Sequence, residues 1–285
     1  MKKVVIIPNC KKDTDLRVSA SVAEKLSSLG IEALVEERYA SSLKDFGAVP
    51  YTDFPTDVDL IAVIGGDGSV IEASNYAVKN EIPLVGINLG KVGYLSEVEP
   101  DNLSVLDGLA SAEYMIEEKM LLASEWISDG KTSTSYHLAL NDVVISHDSY
   151  LGIADFLVED SNGDAVKYRA DGIILSTPAG STAYSLSAGG PVISHSLESI
   201  LVTPVCPHSF FNRSILFSPN ERLKITNVGD TSLNISVDGR CSAALGKNDA
   251  CFVYVAKEKL KMLTFKKSNM FSTLFKKMKI LEDVK

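Results

Sequence analysis

The sequence predicts two domains, an α/β N-terminal domain built on a parallel sheet and a β-rich C-terminal domain. Apolar runs such as 4–7 and 60–64 alternate with helix-forming stretches up to about residue 117, and this alternation is typical of parallel sheets. Beyond Glu118, short segments of alternating polarity follow one another with turn residues between them, which indicates antiparallel β structure. A length of 285 residues is sufficient for two domains.

The N-terminal domain, residues 1–117, is predicted to contain four strands and at least two helices. The amphipathic segment 15–29 predicts a helix that ends at Gly30, because glycine is a natural helix stop. A second helix is predicted over about 70–79. Ligands bind at the carboxyl ends of parallel strands, so the turn after the 60–64 strand is the expected place for a site. The predicted strands are 4–7, 33–36, 60–64 and 84–87.

The C-terminal domain is predicted over 118–264, followed by a tail over 265–285. From Ser268 onward, apolar residues at i, i+3, i+4 and i+7 predict a short amphipathic helix. Its lysines favour a helix that docks on the protein with its basic face in solvent; a membrane-surface element is the alternative. The strands predicted for the domain are 133–142, 153–160, 173–176, 214–217, 222–226, 233–237 and 250–255, and the apolar residues of the tail are Phe271, Leu274, Phe275 and Met278.

The five residues that follow the 60–64 strand, Gly65-Gly66-Asp67-Gly68-Ser69, have the pattern of a phosphate-binding turn. Glycines let backbone N–H groups approach an anion, and the helix expected to begin near Ser69 adds a positive dipole end. Asp67 would repel bare phosphate, so its partner in a nucleotide site would be a hydroxyl proton or a magnesium ion. Asp-Gly is also a favoured turn dipeptide, and a turn required by geometry alone is an equal alternative.

Composition excludes several classes of protein. A formal net charge of −9 argues against a nucleic-acid binder, and no stretch is long and apolar enough to span a bilayer. The four cysteines lack CxxC spacing and the four histidines form no HxxxH pair, so neither a protein-built metal site nor a disulfide framework is predicted. We therefore expect a cytoplasmic protein that does not bind membranes. The cysteines are Cys10, Cys206, Cys241 and Cys251.

Two further regions are rich in polar residues where function is expected. Asn141-Asp142 interrupts an apolar run, and a carboxamide beside a carboxylate can hold a sugar diol; a strand-end turn is an equal alternative. The segment 168–191 runs from Arg169-Ala170-Asp171 into small and hydroxyl residues that permit close approach of a flat ligand, with Tyr184 as a stacking face. An ordinary glycine-serine loop is the alternative, although its prolines argue against flexibility.

Taken together, these motifs resemble those of the NAD kinase family. The order and approximate spacing of the family are kept by the turn at 65–69, by Asn141-Asp142, by the 169–191 block and by Val237-Asp238-Gly239, with 207–213 as a further segment. The likeness covers most of the chain. A GGDG turn alone would be weak evidence for the family, because diacylglycerol-type lipid kinases and phosphofructokinases also carry one.

The resemblance implies a phosphotransferase acting on an alcohol group. ATP, with Mg²⁺ or a similar divalent ion, would phosphorylate the 2′-hydroxyl of the adenosine ribose of NAD to give NADP, in a homodimer or homotetramer. Asp67 would accept the hydroxyl proton, while Gly65, Gly66, Gly68 and Ser69 would face phosphate. The residues implied in NAD binding are Gly68, Tyr94, Asn141, Asp142, Arg169, Asp171, Ala179, Thr182, Ala183, Tyr184 and Ser187.

The chain departs from the family pattern at a few positions. Asp142 stands where glutamate is more usual, Ser69 replaces threonine, and Ala170 and Ala179 stand where glycine and a hydroxyl residue are common. Glu72 stands where a basic residue is frequent, and it is given no phosphate role. Two alternatives are a lipid kinase, against which the long small-residue block speaks, and a non-catalytic NAD-binding regulator, against which the intact catalytic carboxylate speaks.

Overall fold

The computed structural model describes residues 1–90, 93–128, 130–133, 136–147, 153–208 and 211–266, together with Leu274. The chain forms two compact units. Unit 1 comprises Met1–Glu118 and Leu260–Lys285, and unit 2 comprises Lys119–Lys259. Apart from Leu274, the helix predicted from Ser268 onward lies outside the described residues.

Unit 1 is built on a parallel sheet with the strand order β3-β2-β1-β4-β5. The end of a long strand from later in the chain, β18, joins β5 through the parallel pair Met262 and Leu84. Four of these strands were predicted, and their apolar residues are almost all buried. The strands are β1 Lys3–Pro8, β2 Glu32–Glu36, β3 Ala48–Tyr51, β4 Leu60–Gly65, β5 Leu84–Asn88 and β18 Ala250–Thr264.

Helix α1, Arg17–Ser28, has a start and an end that its sequence accounts for. The buried Asp13 carboxylate accepts the backbone N–H groups of Val18 and Ser19 at 3.2 and 2.9 Å, which satisfies donors of the first turn. Gly30 has φ of 71°, the left-handed conformation that ends helices. The other helices of unit 1 are α2 Glu37–Leu43, α3 Asp67–Lys79, α4 Gly108–Ser111 and the 3₁₀ turns Lys44–Phe46 and Leu103–Asp107.

Unit 2 is antiparallel, as predicted. One sheet has the order β14-β13-β12-β9-β16-β17, and a second group of strands has the order β11-β10-β15-β18. Apolar side chains from both groups, including Phe156, Tyr168 and Leu175, form one buried core. The strands are β6 Met115–Ser128, β7 Lys131–Thr132, β8 His137–Ala139, β9 Asp142–His147, β10 Ala154–Glu159, β11 Ala165–Ala170, β12 Gly172–Ser176, β13 Ile200–Val205, β14 Ile215–Phe217, β15 Arg222–Asn227, β16 Leu233–Val237 and β17 Arg240–Leu245.

Two local predictions are wrong. The strand predicted over 133–142 is interrupted, since β8 ends at Ala139 and the chain bends at Leu140 and Asn141 before β9 begins. Helix α3 begins at Asp67 and not near Ser69.

Within the described part of the chain, no helix has both the length and the apolarity needed to cross a membrane.

Candidate active site

The turn after β4 brings the end of that strand, the start of α3 and the end of β1 into close contact. A Cβ on Gly65 would lie 2.3 Å from the Ser69 Oγ, so only glycine allows the first turn of α3 to pack so closely. The Asn9 side-chain amide, just beyond β1, donates to the same hydroxyl at 2.7 Å. The predicted residue Ser69 therefore ties α3 to β1, and Asn9 is a contributor that the sequence did not reveal.

Asp67 is fixed by the backbone of a neighbouring loop. Its two carboxylate oxygens accept the N–H groups of Tyr94 and Leu95, each at 3.0 Å. A Cβ on Gly93 would lie 2.8 Å from Asp67 Oδ1, so this loop approaches the carboxylate as closely as a glycine permits. Tyr94 is half-buried, and burial, followed by the charge of Asp67, raises the pKa of its hydroxyl. The structure thus brings the predicted residues Asp67 and Tyr94 together.

Lys12 places a positive charge on the glycine turn. Its Nζ would lie 2.6 Å from a Cβ on Gly66, so the ammonium group rests against the backbone of that residue. Among the described residues Lys12 makes no ion pair. An ammonium beside a glycine turn at a helix N-terminus favours a bound anion. No periodicity or motif in the sequence marks this lysine.

A cavity of about 750 Å³ opens beside the turn, at the carboxyl ends of β1, β2 and β3. One wall is aromatic: the Phe54 ring stacks on Tyr76 with ring centroids 5.2 Å apart and meets Tyr51 edge-on at 5.9 Å. Burial raises the pKa of Tyr51 to about 12, so its hydroxyl is neutral at physiological pH. The other lining residues are Ile6, Ile7, Pro8, Asn9, Cys10, Lys11, Glu36, Arg38, Tyr39, Thr52, Ser69, Glu72 and Ala73.

Asn141 and Asp142, in unit 2, lie where β8 turns into β9. The Asp142 side chain is only 6% exposed. Burial, followed by the nearby charge of Asp238, raises the pKa of Asp142 to about 7. The strand-end turn that the sequence left open is therefore present, and it carries a buried carboxyl group poised to change its charge near neutral pH.

Asp142→Asn is expected to stabilise the protein more at pH 8 than at pH 5. The pKa of Asp142 is about 7 in the folded protein against an ordinary value of 3.8, so the folded state binds more protons between these values and stability falls as pH rises through them. Asparagine removes this titration, and its advantage should grow by roughly 2–3 kcal/mol between pH 5 and pH 8. Urea unfolding at both pH values measures it. A difference that does not vary with pH would contradict the prediction, and the exposed Asp164→Asn variant is the control.

The segment after β12 packs against the Asn141 turn. The Thr177 hydroxyl donates to the Leu140 carbonyl at 2.6 Å, and the Thr177 N–H donates to the Asn141 carbonyl at 2.9 Å. A Cβ on Gly180 would lie 2.0 Å from the Asn141 carbonyl oxygen. This contact brings the loop that carries the predicted residues 179–187 against the Asn141-Asp142 pair.

Within that loop, the predicted residues differ in exposure and partners. Ala179 and Thr182 belong to one short turn, in which the Thr182 hydroxyl donates to the Ala179 carbonyl at 3.0 Å. Ala183 is half-buried and precedes α5, Tyr184–Ser187. Tyr184 is 46% exposed and Ser187 is exposed, so both side chains are accessible to a ligand.

Arg169, in β11, and Asp171, in the connection to β12, lie near the start of β12, whereas Asn141-Asp142 lies near its end. Asp142 pairs with Ser176 across the sheet, whereas Asp171 immediately precedes Gly172 at the start of the strand. The five residue steps from Asp171 to Ser176 correspond to about 16–17 Å, so the structure does not bring this pair beside Asn141-Asp142. Arg169 is exposed, and its carbonyl accepts the His208 N–H at 2.7 Å, which ties it to the 207–213 segment.

Comparison with known proteins identifies the family. The model for the ATP-NAD kinase N-terminal domain matches residues 4–114, and the model for the ATP-NAD kinase C-terminal domain matches residues 140–265. The chain belongs to the NAD kinase family. Family membership agrees with the glycine turn and with the Asn141-Asp142 turn described above.

Curated NAD kinases align with nearly the whole chain. The NAD kinase of Thermoanaerobacter sp. (strain X514) is 35% identical over 279 residues, which is 96% of this chain and 98% of that protein. The NAD kinase of Geobacter sulfurreducens is 34% identical over 281 residues, which is 98% of this chain and 99% of that protein. The recognition of the family from its motifs is therefore confirmed.

Solved structures share the fold. Yeast NADH kinase, crystallised with NADH, superposes with a TM-score of 0.84 at 22% identity, over 96% of this chain and 86% of that one. An NAD kinase from Archaeoglobus fulgidus in complex with ATP gives a TM-score of 0.72 at 21% identity, over 96% of this chain and 99% of that one. The predicted fold, an α/β N-terminal domain followed by a β-rich C-terminal domain, is confirmed.

Proposed function

We propose that this protein is an NAD kinase that transfers the γ-phosphoryl group of ATP to the 2′-hydroxyl of the adenosine ribose of NAD. One observation carries the proposal. In this chain of the NAD kinase family, the glycine turn holds a carboxylate, Asp67, that two backbone N–H groups fix at 3.0 Å. Relatives named NAD kinase that align over 96–98% of the chain support it.

Asp67 is the proposed general base. An ionised carboxylate is a proton acceptor with two oxygens, and the N–H groups of Tyr94 and Leu95 hold the Asp67 carboxylate in a fixed orientation. The ribose 2′-hydroxyl gives its proton to Asp67, and the 2′-oxygen forms a bond to the γ-phosphorus. The bond between that phosphorus and the β–γ bridging oxygen breaks, which releases ADP. The chemistry is consistent with a phosphotransferase acting on an alcohol group.

The glycine turn and Lys12 are proposed to stabilise the transferred phosphoryl group. The N-terminus of α3 presents backbone donors and a positive dipole end. The Lys12 ammonium, against the Gly66 backbone, adds a full charge at the same place. Fixed donors and cations aimed at developing charge are the largest contribution to phosphoryl transfer. The predicted phosphate role of Gly65, Gly66, Gly68 and Ser69 rests on this arrangement.

A magnesium ion fits this site as a companion of the nucleotide. Among the described residues, no group of three or more histidine, cysteine or acidic side chains is arranged to hold a metal. Mg²⁺ in kinases is commonly bound by substrate phosphates, water and only one or two carboxylates. When bound, the ion would neutralise phosphate charge. Two carboxylates of α3 follow the turn in the sequence, Asp67 at the start of the helix and Glu72 five residues further on.

The 750 Å³ cavity of unit 1 is the proposed site for the adenosine part of ATP. It borders Ser69 at the phosphate turn, and its wall of Tyr51, Phe54 and Tyr76 offers an aromatic face to a purine ring. Glu36 and Glu72 line the same cavity and are acceptors for ribose hydroxyls. Glu72 stands where a basic residue that faces phosphate is common, and the proposal instead gives it a contact with the ribose of ATP.

NAD is proposed to contact the polar residues of unit 2, and the NAD contacts that the family resemblance implies for Gly68 and Tyr94 of unit 1 are kept as proposals. Asn141 and Asp142 provide amide and carboxyl groups for a ribose or the nicotinamide amide, and the accessible Tyr184 offers a stacking face. Ala179, Thr182, Ala183 and Ser187 line the adjoining loop. Arg169 and Asp171 keep their proposed role in NAD binding, although they lie at the far end of β12.

The assembly and cellular location remain predictions. We propose a homodimer or homotetramer in the cytoplasm, as the family resemblance implies. The domain limits 1–117 and 118–264, with the tail 265–285 on the N-terminal domain, also remain proposals. Light scattering of the purified protein measures the oligomeric state.

The decisive assay incubates purified protein with ATP, Mg²⁺ and NAD and follows NADP through an NADP-specific dehydrogenase. We expect ATP-dependent NADP formation and no phosphorylation of diacylglycerol in vesicles. Binding of NAD without any NADP would contradict the kinase proposal and indicate a non-catalytic regulator. Parallel reactions with NADH and with polyphosphate define the acceptor and the donor, which the residues alone leave open.

Lys12→Met is expected to lower kcat/KM for ATP by about 30-fold, because a charge that stabilises the transferred phosphate is lost. The effect is smaller than for a buried donor, because the exposed ammonium is screened by solvent. Initial rates at varied ATP measure it, and Lys12→Arg should recover much of the loss. Lys79→Met, at the exposed end of α3, is the control, and a similar effect of both methionine variants would contradict the prediction.

A further inference from the structure

Asp238 holds the backbone of the Asn141-Asp142 turn. Its carboxylate accepts three consecutive N–H groups: Leu140 and Asn141 at 2.8 Å each, and Asp142 at 3.1 Å. The Asp238 N–H in turn donates to the Asp142 carbonyl at 2.9 Å. These partners are 96 to 98 positions apart in the sequence. One side chain from the β16–β17 hairpin therefore fixes three successive peptide units of a distant turn.

The hairpin itself does not require a carboxylate at this position. Asp238 and Gly239 have φ of 48° and 77°, as both central residues of a type I′ turn require. Asparagine followed by glycine suits that turn at least as well as aspartate followed by glycine. The need for a carboxylate comes instead from the three N–H donors, since a charged acceptor with two oxygens binds them more strongly than one amide oxygen does.

We propose that Asp238 is a positioning residue for NAD, which holds residues 140–142 so that the Asn141 and Asp142 side chains meet the dinucleotide. The inference rests on the proposed function, which assigns NAD contact to those two side chains. Thr177 and Gly180 hold the same turn from the β12 side. The turn is thus held from both sides, and on one of them the acceptor is the carboxylate of Asp238.

The same geometry couples Asp238 to the charge of Asp142. Burial raises the pKa of Asp238, and its three N–H bonds act in the opposite direction. Its negative charge, after burial, is the second cause that raises the pKa of Asp142 to about 7. Of the described groups on elements packed around Asp142, Asp238 is the one whose charge acts on it, and Arg240 acts on Asp238. Removing the Asp238 charge therefore lowers the pKa of Asp142.

Asp238→Asn tests the proposal, because asparagine keeps the type I′ turn but removes the charge and puts an amide NH2 donor in place of one acceptor oxygen. We expect the Kd for NAD, measured by calorimetry, and the KM for NAD to rise about 10-fold. The KM for ATP and kcat at saturating NAD should stay within about three-fold of wild type. NAD affinity should fall as Asp142 becomes protonated, and because the pKa of Asp142 is lower without the Asp238 charge, this fall should move to lower pH in the variant. Loss of a hydrogen bond alone would not produce that shift. Asp164→Asn, in the exposed β10–β11 hairpin, should leave every value unchanged.

Amide hydrogen exchange at residues 140–142 gives a second readout that does not depend on activity. Faster exchange there in Asp238→Asn, with the rest of unit 2 protected, supports the proposal. Wild-type affinity for NAD together with the wild-type pH profile overturns it, and so does general loss of protection with no preference for this turn. If wild-type protein binds no NAD by calorimetry, the proposed function fails first and the inference fails with it, so the two failures are distinguishable.

Discussion

Replacing Asp67 with asparagine is expected to lower kcat by about 1,000-fold. General-base catalysis contributes on the order of 10²–10⁴-fold, and asparagine cannot accept the proton that the proposed mechanism delivers to this carboxylate. The fold should survive, because asparagine has the size of aspartate and its amide oxygen can still accept a bond from the 93–95 loop. One of the bonds from Tyr94 and Leu95 will weaken, since a single amide oxygen replaces two carboxylate oxygens.

The measurement separates chemistry from binding. Initial rates of NADP formation give kcat, and calorimetry gives the Kd for NAD, which should change by less than about five-fold. Asp101→Asn, an exposed carboxyl of unit 1, is the control for charge removal alone. A kcat within ten-fold of wild type would exclude Asp67 as the base. A large loss of both affinity and unfolding free energy would instead indicate that its main task is to hold the 93–95 loop.

The sequence predicted the elements that depend on local pattern. The apolar strands of unit 1, the helix that ends at Gly30 and the glycine turn all follow from periodicity and from residue types with a clear conformational preference. The start of α3 was placed about two residues late, because its early start at Asp67 depends on an acidic side chain whose bonds go to a loop 27 and 28 positions away.

Two strands that contain proline were not predicted. β3 contains Pro50 and β13 contains Pro204, and proline within an apolar run argues against a strand. The structure accommodates both: β3 is the edge of its sheet, and β14 pairs with β13 only through Ile200–Val202, so no neighbour on that side needs the missing N–H of Pro204. Such exceptions depend on which strands are neighbours, which composition does not reveal.

The least predictable parts of the site are those made by distant contacts. Lys12 has no motif, and only the folded chain places its ammonium on Gly66. Asp238 was part of a recognised motif, but its local sequence indicates a hairpin turn and not an anchor for residues 140–142. Motifs thus located the candidate residues. The groups that hold those residues in place, or that add a charge beside them, were identified only from the tertiary structure.

Gly180→Ala is expected to disrupt the proposed NAD-binding residues of unit 2 more severely than the same change at any other described glycine of that unit. The new Cβ would lie 2.0 Å from the Asn141 carbonyl oxygen, 2.5 Å from its carbon and 2.8 Å from its Cα. All three are backbone atoms, so no side-chain rotation relieves the overlap. Either the loop after Thr177 or the Asn141 turn must move by about 1 Å, which breaks the bonds that join them.

The expected result is a loss of unfolding free energy of roughly 2–3 kcal/mol and a rise in the Kd for NAD of about 100-fold, because a shift of 1 Å misplaces binding groups. Urea unfolding and calorimetry measure the two effects. Gly229→Ala is the matched control: a Cβ there has its nearest neighbour, the Asp155 nitrogen, at 3.5 Å, an ordinary contact. Equal behaviour of the two alanine variants would show that the Asn141 turn yields without cost, and the close packing of Gly180 would then not position the site.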